Sequence, residues 1–192
     1  MSGPVTHADR FDGEFDAVLA GAQQGAAWAF ERIFTALSPV VTGYLRMQGA
    51  REPDDLSSEV FVAVLRNVAG FVGDEAGFRS WVFTIAHRRL LDERRALGRR
   101  PVTAPLADDL ELPAPDDVEA TAERSLRTEW VRSLCDQLSP DQRDVLLLRL
   151  LGRLTVDEVA TTLGKTSPAV KALQRRGFRA IGRLLSPEEV SL

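Results

Sequence analysis

The carboxy-terminal part of this chain constrains its fold most strongly, because local signals there fix two short helices and the turn between them. Thr155 and Glu158 form a T-x-x-E capping box, which predicts the start of a helix. Gly164 predicts the end of that helix, because glycine readily adopts a left-handed cap. Ser167 and Pro168 then supply an N-cap and a first-turn proline for a second helix. With so short a break the two helices must meet at a steep angle, so the segment is predicted to be a helix-turn-helix.

The second of these helices is strongly basic. From Lys165 to Arg183 the chain has six cationic side chains and no acid. At 100° per residue the cations recur at i+4 steps on one side, opposite an apolar stripe of Val170, Leu173, Gly177, Ile181 and Leu184. Like charges at this spacing repel by roughly a few tenths of a kcal/mol per pair, so the helix favours a polyanionic partner such as DNA. A solvated basic face is the alternative, and Gln174, which falls within the apolar stripe, is not expected to contact bases.

The net charge of −4 conceals a local imbalance. Residues 101–123 contain seven acids and neither Lys nor Arg, and removing these seven charges leaves +3 for the rest of the chain. The acidic total therefore does not argue against nucleic-acid binding. No apolar run approaches the length of a membrane span, and the amino terminus lacks the features of a signal peptide, so we expect a cytoplasmic protein.

Cysteine and histidine are too few to build a disulfide or a usual metal cluster. Cys135 is the single cysteine and is expected to pack in a core, and His7 and His87 are the two histidines. The sequence shows no paired nucleophile and base, no glycine-rich phosphate loop and no set of metal ligands. It therefore predicts neither an enzyme nor a cofactor.

Helical spacing without strand-like alternation predicts an all-α protein with two small helical domains, at residues 11–100 and 118–186. Residues 101–117 between them contain four prolines, no aromatic residue and most of these acids, which predicts a flexible acidic linker. In the second domain Ser139 and Gln142 form another capping box, which predicts a helix start ahead of the helix-turn-helix.

A helix predicted to begin at Pro53 should lie at the centre of the first domain, because its apolar residues cover most of its circumference. Only a narrow edge, with Asp55, Glu59 and Arg66, is polar. Two acids at i+4 spacing repel each other, so this edge fits either a basic protein partner or plain solvation.

The next helix changes character along its length. Its first part is apolar, whereas from His87 to Arg100 six arginines accompany only Asp92 and Glu93. This pattern predicts a helix that is anchored in a core at its start and available to phosphate at its end. Trp81 could stack on a base, but its spacing favours a core position.

Three segments, in this order, resemble the bacterial sigma-70 family of RNA polymerase sigma factors, specifically the extracytoplasmic-function (ECF) group. They are DDLSSEVFVAVL at 54–65, FRSWVFTIAHRRLLDERR at 78–95 and LSPDQRDVLLLRLLGRLTVDEVATTLGKTSPAVKALQRR at 138–176. The resemblance covers about residues 12–186. It implies a promoter-specificity subunit whose first segment docks on the clamp helices of core polymerase. The second segment would melt and read the minus-10 element, and the third would read the minus-35 duplex.

The resemblance also implies functional residues. The implied polymerase contacts are Asp54, Asp55 and Glu59. The implied minus-10 contacts are Phe71, Asp74, Arg88, Arg89, Asp92 and Arg95. The implied minus-35 contacts are Thr166, Ser167, Lys171, Arg175, Arg176 and Arg179. The chain departs from the common family pattern at Arg88, where the family often has asparagine.

The partners implied by the resemblance are core RNA polymerase, through its clamp helices and flap, promoter DNA and an anti-sigma factor. By the same resemblance the acidic linker would thread the polymerase channel that later holds RNA. A conventional helix-turn-helix regulator, which binds duplex DNA as a dimer without polymerase, is the main alternative. An enzyme with a fused DNA-binding domain is a second alternative, which the missing catalytic site disfavours.

Overall fold

The structure, a computed structural model, describes residue 11 and residues 13–98 and 130–185. Within these ranges the regular secondary structure is helical and contains no strand, which confirms the predicted all-α class. The predicted linker at 101–117 and the predicted start of the second domain at Val118 lie outside the described residues.

The amino-terminal domain is a bundle in which α3 packs against both α2 and α4. Pro39 lies inside α2, which continues through it from Ala27 to Met47. Pro39 is exposed, so water can satisfy the carbonyl group that a proline leaves without a donor. The elements of this domain are α1 (Phe15–Gln23), α2 (Ala27–Met47), α3 (Pro53–Asn67), a 3₁₀ turn (Val68–Gly70) and α4 (Glu75–Gly98).

The helix α3 is less enclosed than its composition predicts. Val60, Phe61 and Val64 are buried, but Val62 is 45% exposed and Leu65 is 49% exposed. The helix packs against both α2 and α4, but the expectation that only a narrow polar edge of it is exposed is wrong. Its neighbours α2 and α4 cover one side of the helix, and the acidic edge continues into an exposed apolar surface.

The carboxy-terminal domain begins, in the described residues, with a helix at 130–136 that we call α5. Its further helices are α6 (Pro140–Leu150), α7 (Val156–Leu163) and α8 (Ser167–Leu185). Both predicted capping boxes are present, at Ser139 with Gln142 and at Thr155 with Glu158. Gly164 ends α7 in the left-handed conformation, with φ 62°, as its position in the sequence predicts.

The N-cap of α8 is Thr166, so the prediction of Ser167 is wrong by one residue. The amide of Ala169 donates to Thr166 Oγ1 at 3.4 Å, and the amide of Val170 donates to the Thr166 carbonyl oxygen at 3.0 Å. Ser167 is instead the first helical residue, and its hydroxyl donates to the Asp157 carboxylate on α7. Because that contact crosses the turn, Ser167 is not available as the cap.

Cys135 is buried, as expected for a residue that packs in a core. Burial raises the pKa of its thiol, with Arg143 opposing the shift and Asp136 adding to it. The neutral thiol therefore persists at physiological pH and behaves as a small apolar side chain.

The two domains pack against each other, with α4 against α7 and α2 against α6. Gln48 Nε2, at the end of α2, donates to Asp144 Oδ1 on α6 at 2.7 Å. The hydroxyl groups of Thr84 on α4 and Thr162 on α7 lie 2.9 Å apart. These contacts fix the relative position of the two helical domains.

Candidate nucleic-acid interface

The helix α8 is positioned by α6 and α7, which pack against its apolar side. Val170, Leu173 and Gly177 are buried there. A Cβ at Gly177 would lie 2.8 Å from Leu146 Cδ1, so glycine permits the close approach of α8 to α6. The predicted apolar stripe therefore holds in this part of α8, whereas Leu184 near its end is 47% exposed.

The opposite side of α8 is an exposed cationic face. Lys165, in the turn before the helix, is bound to Asp141 at 3.0 Å. By contrast, none of the cations on α8 has an ion-pair partner among the residues that the structure describes. These cations are Lys171, Arg175, Arg176, Arg179 and Arg183. A face of this kind can bind a polyanion without first breaking contacts within the protein.

A groove of about 630 Å³ runs beside this face. It is lined by Arg149, Val156, Lys171, Gln174, Arg175, Phe178 and Arg179. Gln174 thus lies at the border of the cationic face, although its spacing placed it within the apolar stripe. Sequence reasoning also missed Arg149, whose guanidinium donates to the Leu154 carbonyl oxygen and holds the segment between α6 and α7.

The two polar residues at the start of α8 have structural partners. Thr166 caps the helix, and Ser167 is bonded to Asp157. Both residues lie at the amino-terminal end of α8, and their hydroxyl groups are engaged within the protein.

The predicted polymerase-binding acids lie together in the first half of α3. Asp54 Oδ2 is 3.2 Å from Arg46 Nη2, and Glu59 Oε2 is 3.8 Å from Arg89 Nη1. Asp55 is exposed and has no ion-pair partner among the described residues. All three acids are accessible, and Asp54 and Asp55 lie in the first turn of α3, where negative charge is favoured.

An exposed apolar surface adjoins these acids, and no sequence signal predicted it. Phe34 on α2 packs edge-on against Phe61, with ring centroids 5.0 Å apart, and Phe34 is 45% exposed. Phe61 is followed along α3 by the exposed Val62 and Leu65. From composition alone such apolar residues are expected to be buried. Their exposure depends on the positions of the neighbouring helices, which the sequence does not show.

Phe71 and Asp74 lie in the loop before α4 and have structural roles. The ring of Phe71 packs 5.1 Å from Phe78 and 5.3 Å from Trp81, and its carbonyl oxygen accepts from Gln23 at 2.8 Å. Asp74 Oδ1 accepts from the amide of Gly77 at 2.8 Å and so caps α4. Trp81 is half-buried against the core, in agreement with the position that its spacing favours.

The other predicted minus-10 residues form a separate cluster on one side of α4. Asp92 is paired with Arg95 at 2.8 Å, and Arg88 is exposed without an ion-pair partner in the described residues. Arg89 is paired with Glu59, as described above. Arg88 follows Asp74 by fourteen residues, which at 1.5 Å per residue is about 20 Å. The structure therefore does not bring the loop and the arginine cluster together around one base.

The described residues contain no group of His, Cys, Asp or Glu that could hold a metal ion. Among the helices described, none is long and apolar enough to cross a membrane.

Comparison with known proteins identifies both domains. Residues 33–100 match the family described as Sigma-70 region 2, and residues 128–181 match Sigma-70, region 4. The ECF RNA polymerase sigma factor BldN of Streptomyces coelicolor is 32% identical over 184 residues, covering 93% of this chain and 68% of BldN. The ECF RNA polymerase sigma factor ShbA of Streptomyces griseus is 31% identical, covering 88% of this chain and 93% of ShbA.

The fold also resembles a solved structure. CnrH, solved in complex with the cytosolic domain of CnrY, superposes with a TM-score of 0.65 at 22% identity, covering 92% of this chain and 97% of CnrH. The identities with BldN and ShbA extend over nearly the whole chain, including both matched regions. The chain belongs to the ECF group of RNA polymerase sigma factors.

Proposed function

We propose that this sigma factor uses three separate surfaces to start transcription. The edge of α3 would hold core polymerase, α8 would read the minus-35 duplex, and α4 with the loop before it would hold the opened minus-10 strand. The observation that carries the proposal is the cationic face of α8, where five side chains have no acidic partner among the described residues. The proposed domain division is 11–100, 101–117 and 118–186, with the acidic linker in the polymerase channel.

The amino-terminal half of α8 would enter the major groove. Lys171 and Arg175 line the groove beside the cationic face and would reach base edges, while Arg176 and Arg179 would contact phosphates. Thr166 and Ser167, at the helix start, would contact the DNA backbone. Because each hydroxyl already has a partner, such a contact would add to the existing hydrogen bond or replace it.

The edge of α3 would dock on the clamp helices of core polymerase through Asp54, Asp55 and Glu59. The exposed Val62 and Leu65 continue this edge and would be buried in the same contact. Charge would then set the orientation of the complex, and burial of apolar area would contribute to its stability.

The two minus-10 clusters would contact different nucleotides, because they lie about 20 Å apart along α4. Near the loop, Phe71 and Asp74 would capture an extruded base, which requires Asp74 to share its carboxylate between the helix cap and the base. Farther along α4, Arg88, Arg89 and Arg95 would hold the strand, with Asp92 orienting Arg95.

We further propose that the protein acts in the cytoplasm and that an anti-sigma factor binds it when it is inactive. CnrH, whose fold is similar, was solved with the cytosolic domain of another protein. Core polymerase would make a second contact through its flap, with the carboxy-terminal domain of the sigma factor.

Transcription in vitro with core polymerase tests the docking proposal. Asp55→Lys should abolish promoter-dependent initiation, because it reverses the charge of an exposed acid that has no internal partner among the described residues. Asp16→Lys is the matched control, since Asp16 is also an exposed acid in the first turn of a helix. Equal activity of the two variants would show that Asp55 does not contact polymerase.

A second measurement separates this function from that of a polymerase-independent regulator. The full-length protein alone should bind promoter duplex weakly, and the holoenzyme should bind it tightly. Tight and specific binding by the protein alone would instead favour the helix-turn-helix regulator.

A further inference from the structure

The loop before α4 is held by a side chain from α1. Gln23 is the last residue of α1, and its Nε2 donates to the carbonyl oxygen of Phe71 at 2.8 Å and to that of Val68 at 3.4 Å. The Val68 carbonyl oxygen also accepts from the amide of Phe71 at 3.0 Å. Gln23 therefore joins the 3₁₀ turn to the residue after it, from a position 45 and 48 residues earlier in the chain. We call residues 71–74 the α4 loop.

The other contacts of the α4 loop leave one apolar side chain outside the protein. The ring of Phe71 packs on the aromatic residues of α4, as described above, and a Cβ at Gly73 would lie 3.0 Å from Phe71 Cζ. The ring therefore lies directly beneath Gly73. Asp74 caps α4, which fixes the other end of the loop. Val72, between these fixed points, is 94% exposed.

A single exposed valine is ordinary on a protein surface, but the backbone around this one is ordered by contacts on both sides. Ordering a backbone costs conformational entropy, and a loop that is ordered before binding does not incur that cost in the complex. Gln23 restrains the carbonyl group of Phe71 and so the direction in which the chain continues to Val72. An aliphatic side chain held in this way can pack on the face of an unstacked base.

We propose that Gln23 is a positioning residue for promoter opening, which holds the α4 loop so that Val72 meets the base extruded from the minus-10 strand. The proposal rests on the proposed function of this loop in holding that strand. Gln23 need not touch the base, because both N–H groups of its amide are directed to backbone carbonyl oxygens.

Two substitutions remove the donor at this position. Gln23→Glu has nearly the same shape, but its carboxylate cannot donate and would face two carbonyl oxygens. We expect the affinity for an intact minus-10 strand to fall about tenfold, because the loop would then be ordered only on binding. Gln23→Met removes the donor without adding a charge and should lower the affinity about threefold.

Gln24→Glu is the matched control. Gln24 is exposed like Gln23, but it follows by about 100° of helix rotation, so its side chain leaves α1 in another direction. The substitution places the same charge at the same end of α1. A general repulsion of DNA by the added charge would therefore appear in both variants. All of these variants should bind core polymerase equally well, because neither glutamine lies on the acidic edge of α3.

The test measures binding of the holoenzyme to single-stranded DNA by fluorescence anisotropy. The probe is the non-template minus-10 strand of a promoter from which the holoenzyme initiates in vitro, either intact or with an abasic site at one position at a time. For the unsubstituted protein, loss of the captured base should weaken binding about tenfold. This difference between intact and abasic strands should largely disappear in Gln23→Glu and decrease in Gln23→Met. It should also decrease in Val72→Ala, at the same position of the strand.

Retention of the difference in Gln24→Glu and its loss in Gln23→Glu would support the proposal. An unchanged difference in Gln23→Glu would overturn it. Equal weakening of intact and abasic strands would also overturn it, because a general loss of structure acts on both strands alike. Gln23→Met decides the question if Gln23→Glu does not fold.

The same measurement separates this proposal from the proposed function. If no abasic site weakens binding by the unsubstituted holoenzyme, the minus-10 assignment fails and the role of Gln23 fails with it. If an abasic site weakens binding equally in the unsubstituted protein, Gln23→Glu and Val72→Ala, the minus-10 assignment stands and the positioning role alone is lost.

Discussion

The second half of α4 and the helix α8 are both rich in arginine, but their charges have different surroundings. Of the four arginines between Arg88 and Arg95, three have partners within the protein, and Arg88 has none in the described residues. In α8 no described cation has an ion-pair partner. The difference follows from what packs beside each helix, because Glu59 on α3 pairs with Arg89 and Gln48 at the end of α2 accepts from Arg94, whereas only Arg95 pairs within α4. A count of positive charges therefore does not tell which of them are available to phosphate.

The largest effect is expected on DNA recognition by α8. Arg175→Ala should weaken binding of the cognate minus-35 duplex by about 1–3 kcal/mol and relax specificity at one base pair, if Arg175 pairs with a base. Fluorescence anisotropy of the holoenzyme with a set of duplexes that differ at single base pairs measures this. Arg179→Ala is the control for a phosphate contact and should weaken all duplexes equally while lowering the salt dependence. A uniform loss for Arg175→Ala would make it a phosphate contact as well.

A substitution on α4 should affect stability instead of DNA binding. Arg94→Ala should lower the free energy of unfolding by about 1–3 kcal/mol, because the buried Gln48 loses a donor at two oxygens. Arg88→Ala on the same helix should change it by less than about 0.5 kcal/mol. Urea denaturation of the two variants checks the difference. Equal and small effects would mean that the hydrogen bonds of Arg94 contribute no more to the free energy of unfolding than the exposed side chain of Arg88.

Much of the local structure could be predicted because its signals act within four residues. The capping boxes at Thr155 and Ser139 and the left-handed Gly164 depend on neighbours in sequence, and all three are confirmed. Ser167 was misassigned as a cap because its hydroxyl is held by Asp157, ten residues away. Local patterns carry no information about such a contact.

Features that depend on the packing of helices could not be predicted. The exposure of Val62 and Leu65 follows from where α2 and α4 lie, and not from the pattern along α3. Gln48 and Asp144 are 96 residues apart, and neither lies in a motif that suggests a partner. The sequence identified the cationic face of α8 but not the pairing of the arginines on α4, because pairing requires the positions of acids on other helices.

His87 tests the electrostatics of the packed region around α4. Burial lowers its pKa below the ordinary 6.5, with Asp144 on α6 opposing this shift and Arg94 on α4 adding to it. Tyr44 OH on α2 lies 2.9 Å from His87 Nδ1, and burial raises the pKa of that phenol. Both side chains are therefore neutral in the folded protein at pH 7.

The direction of the pH effect follows from the lowered pKa of His87. Between the lowered pKa and 6.5 the unfolded chain binds more protons at this position than the folded chain. His87 should therefore reduce the free energy of unfolding as the pH falls below about 6.5. Urea denaturation of the unsubstituted protein and of His87→Gln between pH 7.5 and 5.5 isolates the effect, because the carboxylates are common to both. A loss of stability of the same size in both proteins would contradict the prediction.

The smallest effect is expected for the pair formed by Glu59 and Arg89. Both side chains are substantially exposed and 3.8 Å apart, so a double-mutant cycle with Glu59→Gln and Arg89→Gln should give a coupling of about 0–1 kcal/mol that weakens with salt. Such a weak pair leaves Glu59 free to exchange Arg89 for a cation of polymerase. Glu59→Gln should then weaken core binding far more than it changes the free energy of unfolding. A coupling above about 2 kcal/mol would mean that Arg89 holds Glu59 firmly within the folded protein, and the proposed role of Glu59 in docking would be lost.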